Sequence, residues 1–248
     1  MISKNQIKLI RSLAIKKFRD EEGLFVAEGK KLVADLLSVF TPHALFAVKD
    51  FEDDFLNNFD FEEITEKELR QISNMNAPQG VLAVFRKPEF SFSENDVTEQ
   101  LTLALDDIQD PGNLGTIIRI ADWFGISQVF CSPHTADIFN PKVIQATMGA
   151  IARVKVHYVD LQLFIENYSK KVPVYGTFLS GENIYDENLS KNGIIIMGNE
   201  GNGISPEIEK LISKRLFIPN FPKGNITSES LNVSVSTALV CAEFRRRT

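Results

Sequence analysis

Two cysteines, three histidines and one tryptophan in 248 residues exclude several classes of protein at once. Cys131 and Cys241 lie far apart in sequence and in apolar surroundings, which fits neither a disulfide framework nor a zinc spacing. His43, His134 and His157 are scattered, so each reads as structural and no metal site is expected. No apolar run approaches the ~20 residues of a membrane span, and the first residues lack a signal-peptide apolar region. A reducing, cytoplasmic setting is the expectation. An excess of positive charge is missing too: 27 Lys and Arg against 33 Asp and Glu leave −6, which argues against a protein that coats nucleic acid.

What is present is ordinary globular material, 44% hydrophobic and 24% charged, enough to bury a full core. Its charge is unevenly spread. Residues 1–31 carry Lys4, Lys8, Arg11, Lys16, Lys17, Arg19, Lys30 and Lys31 against Asp20, Glu21, Glu22 and Glu28. Residues 50–68 are strongly acidic. One basic face on an acidic body suits local phosphate contact, or is simply a solvated helix face.

Apolar spacing predicts a first helix over residues 4–18, a strand at 25–27 and a helix over 32–39. Strands at 45–48 and 80–85, with an acidic helix around 66–73, complete a small α/β unit. Residues 87–100 are polar and broken and read as a linker. From Leu101 onward, strands alternate with helices to the end of the chain. The strands fall at 101–105, 128–131, 155–159, 174–179, 193–197 and 216–218, and helices fill the gaps. The last helix runs from about 230 to 246. This alternation predicts a parallel, doubly wound sheet.

The stretch 193–205 organises the second half. Ile194, Ile195, Ile196 and Met197 form an unbroken apolar run, the mark of a strand buried on both faces. Gly198, Gly201 and Gly203 follow, and Ser205-Pro206 is a helix-start signal. The spacing G-x-x-G-x-G is neither the dinucleotide fingerprint nor a P-loop, and Glu200 within it would repel phosphate. The loop either lets a nucleotide-like ligand without pyrophosphate lie against backbone, or is a tight turn with no ligand.

Two further stretches carry polar residues at element ends. Asp110-Pro111-Gly112-Asn113 makes a turn in which Asn113 reads as the cap of the next helix. Arg119 follows in that helix as the one cation of an apolar run, either reaching for phosphate or snorkelling off the surface. Later, Ser230, Asn232, Ser234 and Ser236 interleave with Leu231, Val233 and Val235 where a helix begins, more polar groups than capping requires.

Together, Asp110–Ala121, Met197–Gly203, and Ile218-Pro219 with Ser230-Leu231-Asn232 resemble the three motifs of the SpoU (TrmH-like) RNA ribose 2′-O-methyltransferases, in family order. The resemblance covers residue 101 to the C-terminus. The front, through Asn5-x-x-Lys8 and Phe25-x-x-Glu28-Gly29, resembles the L30e-like substrate-binding domain attached to such enzymes. The resemblance implies an α/β chain of two domains: an L30e-like domain over 1–95 and a SPOUT domain, a parallel sheet with a trefoil knot, over 100–248. It implies a homodimer acting on RNA, with ribosomal RNA favoured and transfer RNA the other candidate, and with S-adenosylmethionine as cofactor.

The same resemblance makes Asn113, Arg119, Glu200, Ser230 and Asn232 the active-site polar residues. It puts S-adenosylmethionine against Thr177, Phe178, Leu179, Gly198, Asn199, Gly201, Ile218 and Leu231. Asn220 departs from the family's usual methionine, and the loop 220–229 is longer than is common. The Arg245-Arg246-Arg247 tail either adds phosphate contact or is solvated. A non-catalytic RNA-binding factor on the same fold is the alternative. A nicotinamide oxidoreductase fails on glycine spacing and on the loop's late position in the chain.

Overall fold

The computed structural model describes residues 1–51, 53–222 and 228–246. Contacts divide the chain into two units: Met1–Glu89 with Asp137–Ala152, and Phe90–Ala136 with Arg153–Thr248.

The front unit opens with α1 (Lys4–Ser12), which the Ser3 and Gln6 side chains close in a reciprocal capping box. The single helix expected over 4–18 is broken: the chain turns at 13–15 and restarts as α2 (Lys16–Glu22). The break answers Arg19, which is 1% exposed. Its guanidinium donates to the Leu13 carbonyl at 2.8 Å and to Asp137 Oδ2 at 2.6 and 3.0 Å. A continuous helix would have committed that carbonyl to its own ladder. Arg19 therefore leaves the basic face. Lys16 and Lys17 pair with Asp20 and Glu21, and Lys30 pairs with Asp53. Lys4, Lys8, Arg11 and Lys31 remain exposed without an ion pair among the described residues, three of them along one side of α1.

Strand β1 (Leu24–Glu28), helix α3 (Lys30–Leu37) and strands β2 (Pro42–Val48) and β3 (Glu62–Ile64) follow. Helix α4 (Glu66–Ile72) and strand β4 (Val81–Arg86) come next. The sheet order is β1-β4-β2-β3, antiparallel except between β2 and β3. Every residue of β1 is buried because both faces are covered. Leu24 and Val26 join the core of Ile10, Leu69 and Ile72 on one side. On the other, Phe25 stacks on Phe85 and meets Phe40 and Phe139. Phe139 precedes the helix Pro141–Thr147 (α7), which packs on β1.

In the second unit the polar stretch read as a linker contains a short helix, α5 (Glu94–Thr98), anchored by the fully buried Val97. Beyond it come β5 (Leu101–Leu105), α6 (Pro111–Trp123), β6 (Gln128–Cys131), β7 (Lys155–Tyr158), α8 (Leu161–Tyr168) and β8 (Val174–Phe178). The chain finishes with β9 (Glu182–Asn183), β10 (Gly193–Met197), α9 (Pro206–Glu209), β11 (Lys214–Phe217) and α10 (Val233–Arg246). All seven strands are parallel, in the order β7-β6-β5-β10-β8-β11-β9. The apolar run at 194–197 is fully buried, as expected of a central parallel strand. Gly125, at φ 63°, stops α6 in the left-handed region. Helix α10 returns to pack on α6.

Chain order runs outward from β5 through β6 to β7, then reverses to the far side with β8, β10 and β11. Such a reversal is where open α/β sheets form a crevice outside the carboxyl ends of their strands and bind ligands.

Candidate active site at the carboxyl ends of the strands

Three of the strand ends at the crevice stand side by side. In register, Ile196 of β10 lies opposite Gly176 of β8, and Phe217 of β11 lies opposite Phe178 of β8. The segments that leave them, from Leu179, Gly198 and Ile218, therefore emerge together. Leu179 is 70% exposed and Leu231 47%, whereas Thr177, Phe178 and Ile218 are half-buried. Thr177 donates its hydroxyl to the Ile196 carbonyl at 3.2 Å. Phe178 lies under the Arg215 guanidinium, 3.6 Å from its ring centre.

The glycine loop is shaped by its own backbone. Asn199 and Gly203 exchange two backbone hydrogen bonds of 2.9 Å, and Asn199 Oδ1 accepts from the N–H groups of Gly201 and Asn202 at 2.9 Å. The chain returns so close that a Cβ on Gly198 would sit 2.3 Å from the Gly203 carbonyl carbon and 2.4 Å from the Ile204 nitrogen. Glycine at 198 is therefore required by backbone. The amides of 199, 201, 202 and 203 are spent inside the loop, so Asn199 and Gly201 act as its frame.

Three aspartates, of which only Asp110 figures in the sequence motifs, hold this loop to the turn after β5. Asp106, 4% exposed, accepts from the Ser205 N–H at 2.7 Å. The Asp107 carbonyl accepts from Asn199 Nδ2 at 2.7 Å, with Asp107 itself at φ 56°, a conformation aspartate tolerates better than most residues. Asp110 is the third. The signal available was an Asp-Asp pair directly after an apolar strand, with a further aspartate before proline.

Asp110, and not Asn113, caps α6: its Oδ1 accepts from the Asn113 N–H at 2.8 Å, and Pro111 fills the first helical position. Proline needs no partner for a missing N–H, so the helix begins earlier than the Asn113 reading placed it. This frees the Asn113 side chain. Its Nδ2 donates to Glu200 Oε1 at 3.0 Å and its Oδ1 accepts from Asn232 Nδ2 at 3.0 Å. Glu200 also accepts from the backbone N–H groups of Gln109 and Asp110, both at 3.3 Å. Asn232 Oδ1 caps α10 by accepting from the N–H groups of Ser234 (3.0 Å) and Val235 (3.4 Å). Residues 119 positions apart thus meet in one chain of hydrogen bonds, Asn232 to Asn113 to Glu200.

Arg119 and Ser230 stand outside that chain. Both are exposed, and neither makes a side-chain hydrogen bond or ion pair among the described residues. Much of the 220–229 loop, residues 223–227, lies outside the described residues, as does Arg247. Arg245 donates to the carbonyls of Phe124 and Gly125, and Arg246 pairs with Glu243, so these two tail arginines are engaged within the fold. Both thiols are free and buried, and burial pushes Cys241 up to about 12 and Cys131 further.

A profile described as the SpoU rRNA methylase family matches residues 100–242, well over half of the chain. The chain belongs to the SpoU rRNA methylase family. It is accordingly an S-adenosylmethionine-dependent RNA methyltransferase. A second profile, the MRM3-like substrate binding domain, matches residues 4–83. Among SpoU relatives, the 23S rRNA (guanosine(2553)-2'-O)-methyltransferase RlmP of Bacillus subtilis is 31% identical over 98% of this chain and 97% of its own. A TrmH-family protein from Porphyromonas gingivalis superposes with a TM-score of 0.87 at 40% identity, over the whole of both chains. An AdoMet-bound rRNA methyltransferase from Sinorhizobium meliloti gives 0.84 at 29% identity, over 100% of this chain and 97% of that one.

The site's chemistry fits such a cofactor. Exposed Leu179 and the peptide groups that leave β10 and β11 next to it offer apolar surface and hydrogen-bonding backbone to an adenosine and a methionine chain. No cationic cradle of the kind a pyrophosphate needs stands in the glycine loop. Among the described residues no helix is long and apolar enough to cross a membrane.

Proposed function

We propose that this chain transfers the methyl group of S-adenosylmethionine to a ribose 2′-hydroxyl of ribosomal RNA. The observation that carries the reading is the Asn232–Asn113–Glu200 chain of hydrogen bonds beside three adjacent parallel strand ends. When bound, the cofactor supplies a sulfonium methyl whose sulfur departs as a neutral thioether, so little covalent chemistry is left to the protein.

The chain's residues hold and orient. Backbone at Gly198, Ile218 and Leu231 grips the cofactor, and Thr177, Phe178 and Leu179 line its adenine end. Asn199 and Gly201 keep the loop in shape. Glu200, fixed by two backbone N–H groups, aligns Asn113, and Asn113 with Asn232 and Ser230 positions the target nucleotide. Arg119, with no partner to give up among the described residues, meets the phosphate and ribose. Its planar fork stabilises the alkoxide that develops as the hydroxyl loses its proton to water or an RNA phosphate. With a pKa above ~12, arginine is a poor base, so the charge and not proton abstraction is its contribution.

Residues 1–95 serve as the L30e-like RNA-binding domain and 100–248 as the catalytic one. Lys4, Lys8 and Arg11 along α1, without an ion pair among the described residues, support the first assignment, and RNA recognition by shape and phosphate needs no basic coat. The reading extends to a homodimer in the cytoplasm whose C-terminal part is threaded through a trefoil knot. The displaced strand order and the return of α10 to α6 support that threading. Mapping 2′-O-methyl sites in ribosomal RNA from cells with and without the gene product tests the assignment. Loss of one ribose methyl is expected; an unchanged map contradicts it.

A further inference from the structure

The motif Phe25-x-x-Glu28-Gly29 plays no part in the chemistry above, yet its glutamate is 5% exposed and lines a cavity of about 350 Å³ inside the front unit. A carboxylate withdrawn from water must be hydrogen-bonded or it destabilises the fold. The Ser73 hydroxyl donates to Glu28 Oε2, and Oε1 accepts from the Asn74 N–H at 2.7 Å and the Asn74 side-chain amide at 3.3 Å. Oε1 is thereby filled, while Oε2 keeps one lone pair unspent among the described residues.

The cavity's other polar groups come from α7. Gln145 makes no side-chain hydrogen bond, and the exposed Lys142 ammonium makes no ion pair, among the described residues. Val26, Met75, Pro141 and Ile144 make the remaining walls apolar. A buried acceptor, an amide without a hydrogen bond among the described residues, apolar walls and a cation at the rim are the groups that recognise a base and the phosphate next to it.

We propose that this cavity takes one unpaired base of the RNA substrate, a base with an exocyclic amine. The inference rests on the reading of residues 1–95 as the RNA-binding domain, to which α7, part of the same compact unit and packed on β1, adds Lys142 and Gln145. The amine donates to Glu28 Oε2, the Gln145 amide meets a ring nitrogen or carbonyl, and Lys142 meets the flanking phosphate. The volume lies at the low end of the ~300–1,000 Å³ of small-ligand sites, suited to a nucleoside. Splayed bases read on their edges are the usual source of sequence preference in RNA recognition. Uracil lacks the amine, and its one ring donor on the pairing edge, N3–H, lies between two carbonyls that the Glu28 carboxylate repels, so it answers that lone pair poorly.

The test uses the full chain labelled with 13C at its four methionine methyls. GMP, AMP, CMP and UMP, then unstructured hexanucleotides, are titrated while the Met75 signal is followed. The Met75 methyl should move with amine-bearing nucleotides and with oligonucleotides that contain them, and respond at least tenfold more weakly to UMP. Gln145→Leu should weaken this binding about tenfold with an unchanged melting temperature, since that side chain makes no hydrogen bond among the described residues. A Met75 signal indifferent to every nucleotide and oligonucleotide overturns the proposal, as does equal response to UMP or an unaffected Gln145→Leu variant. Binding of mononucleotides that RNA cannot displace assigns the cavity to a free nucleotide and overturns it too. Methyl transfer to ribosomal RNA by the unaltered protein is assayed in parallel. Transfer with a silent Met75 refutes the base site alone, whereas a responsive Met75 without transfer refutes the enzymatic reading and leaves the base site standing.

Discussion

Asn113 is the residue on which the catalytic arrangement turns, because its amide is committed at both ends, as donor to Glu200 and acceptor from Asn232. Arg119 is its opposite, a guanidinium with no protein partner among the described residues and so free to serve substrate. Arg119→Lys is expected to lower the methyl-transfer rate about 100-fold while S-adenosylmethionine affinity, measured by calorimetry, stays within twofold. A near-normal rate would mean that a point charge suffices and the planar fork is irrelevant. Gly198 makes a separate demand, steric and not chemical. Gly198→Ala drives a methyl to 2.3 Å from backbone that cannot rotate away, so a loss of at least ~2 kcal/mol is expected in urea denaturation. A loss under ~0.5 kcal/mol would show that the loop can open. Neither the Asn113 pairing nor the backbone crossing was legible in sequence. The glycines were visible, but the partner that required glycine at 198 lies five residues on and approaches only when the loop closes.

At the scale of elements, α10 links stability to function through Asn232. Its oxygen caps the helix and its amide nitrogen reaches Asn113. Asn232→Asp keeps the cap but loses the donor, so the melting temperature should hold while methyl transfer falls at least tenfold. Asn232→Ala should also cost about 1 kcal/mol of stability. Equal stability of the two variants would remove the capping role. Strand β7 carries a different sensitivity. His157 stacks on Phe130, meets Phe92 and pairs through Nε2 with Gln128 at 2.8 Å. Burial, helped by Lys155 and opposed by Asp96, lowers its pKa from 6.5. The unfolded chain therefore takes up this proton first as pH falls. The contribution is complete above ~6.5 and is lost as pH drops through that value toward the lower folded pKa. A ring titration by NMR should give a midpoint below 6.5; one at or above it contradicts the account. Element type was readable wherever apolar period and end signals agreed, as in β5, β10 and α8. It failed where a distant partner intervened: Arg19 reaching Leu13 and Asp137 split the first helix, and Val97 drew a helix out of the polar stretch before β5.

For the whole molecule, alternation from Leu101 onward was enough to predict a parallel doubly wound sheet, since each crossover needs a helix and each buried strand an apolar run. Strand order was beyond it, because periodicity is blind to which strands are neighbours. So was the membership of residues 137–152 in the front unit, which depends on Phe139 finding Phe25. The net charge of −6 proved compatible with an RNA enzyme once pairing was counted: four of the basic residues near the N-terminus are neutralised locally, and of the remaining four, Lys4, Lys8 and Arg11 line α1 while Lys31 stands on α3. The most direct measurement is transfer of labelled methyl from S-adenosylmethionine by the purified protein to ribosomal RNA lacking the modification, followed by nuclease digestion and mass spectrometry of the nucleosides. The account predicts one methyl per RNA, carried on a ribose oxygen and absent when Asn113 is replaced by alanine. Label on a base, or none at all with intact protein and RNA, would contradict it.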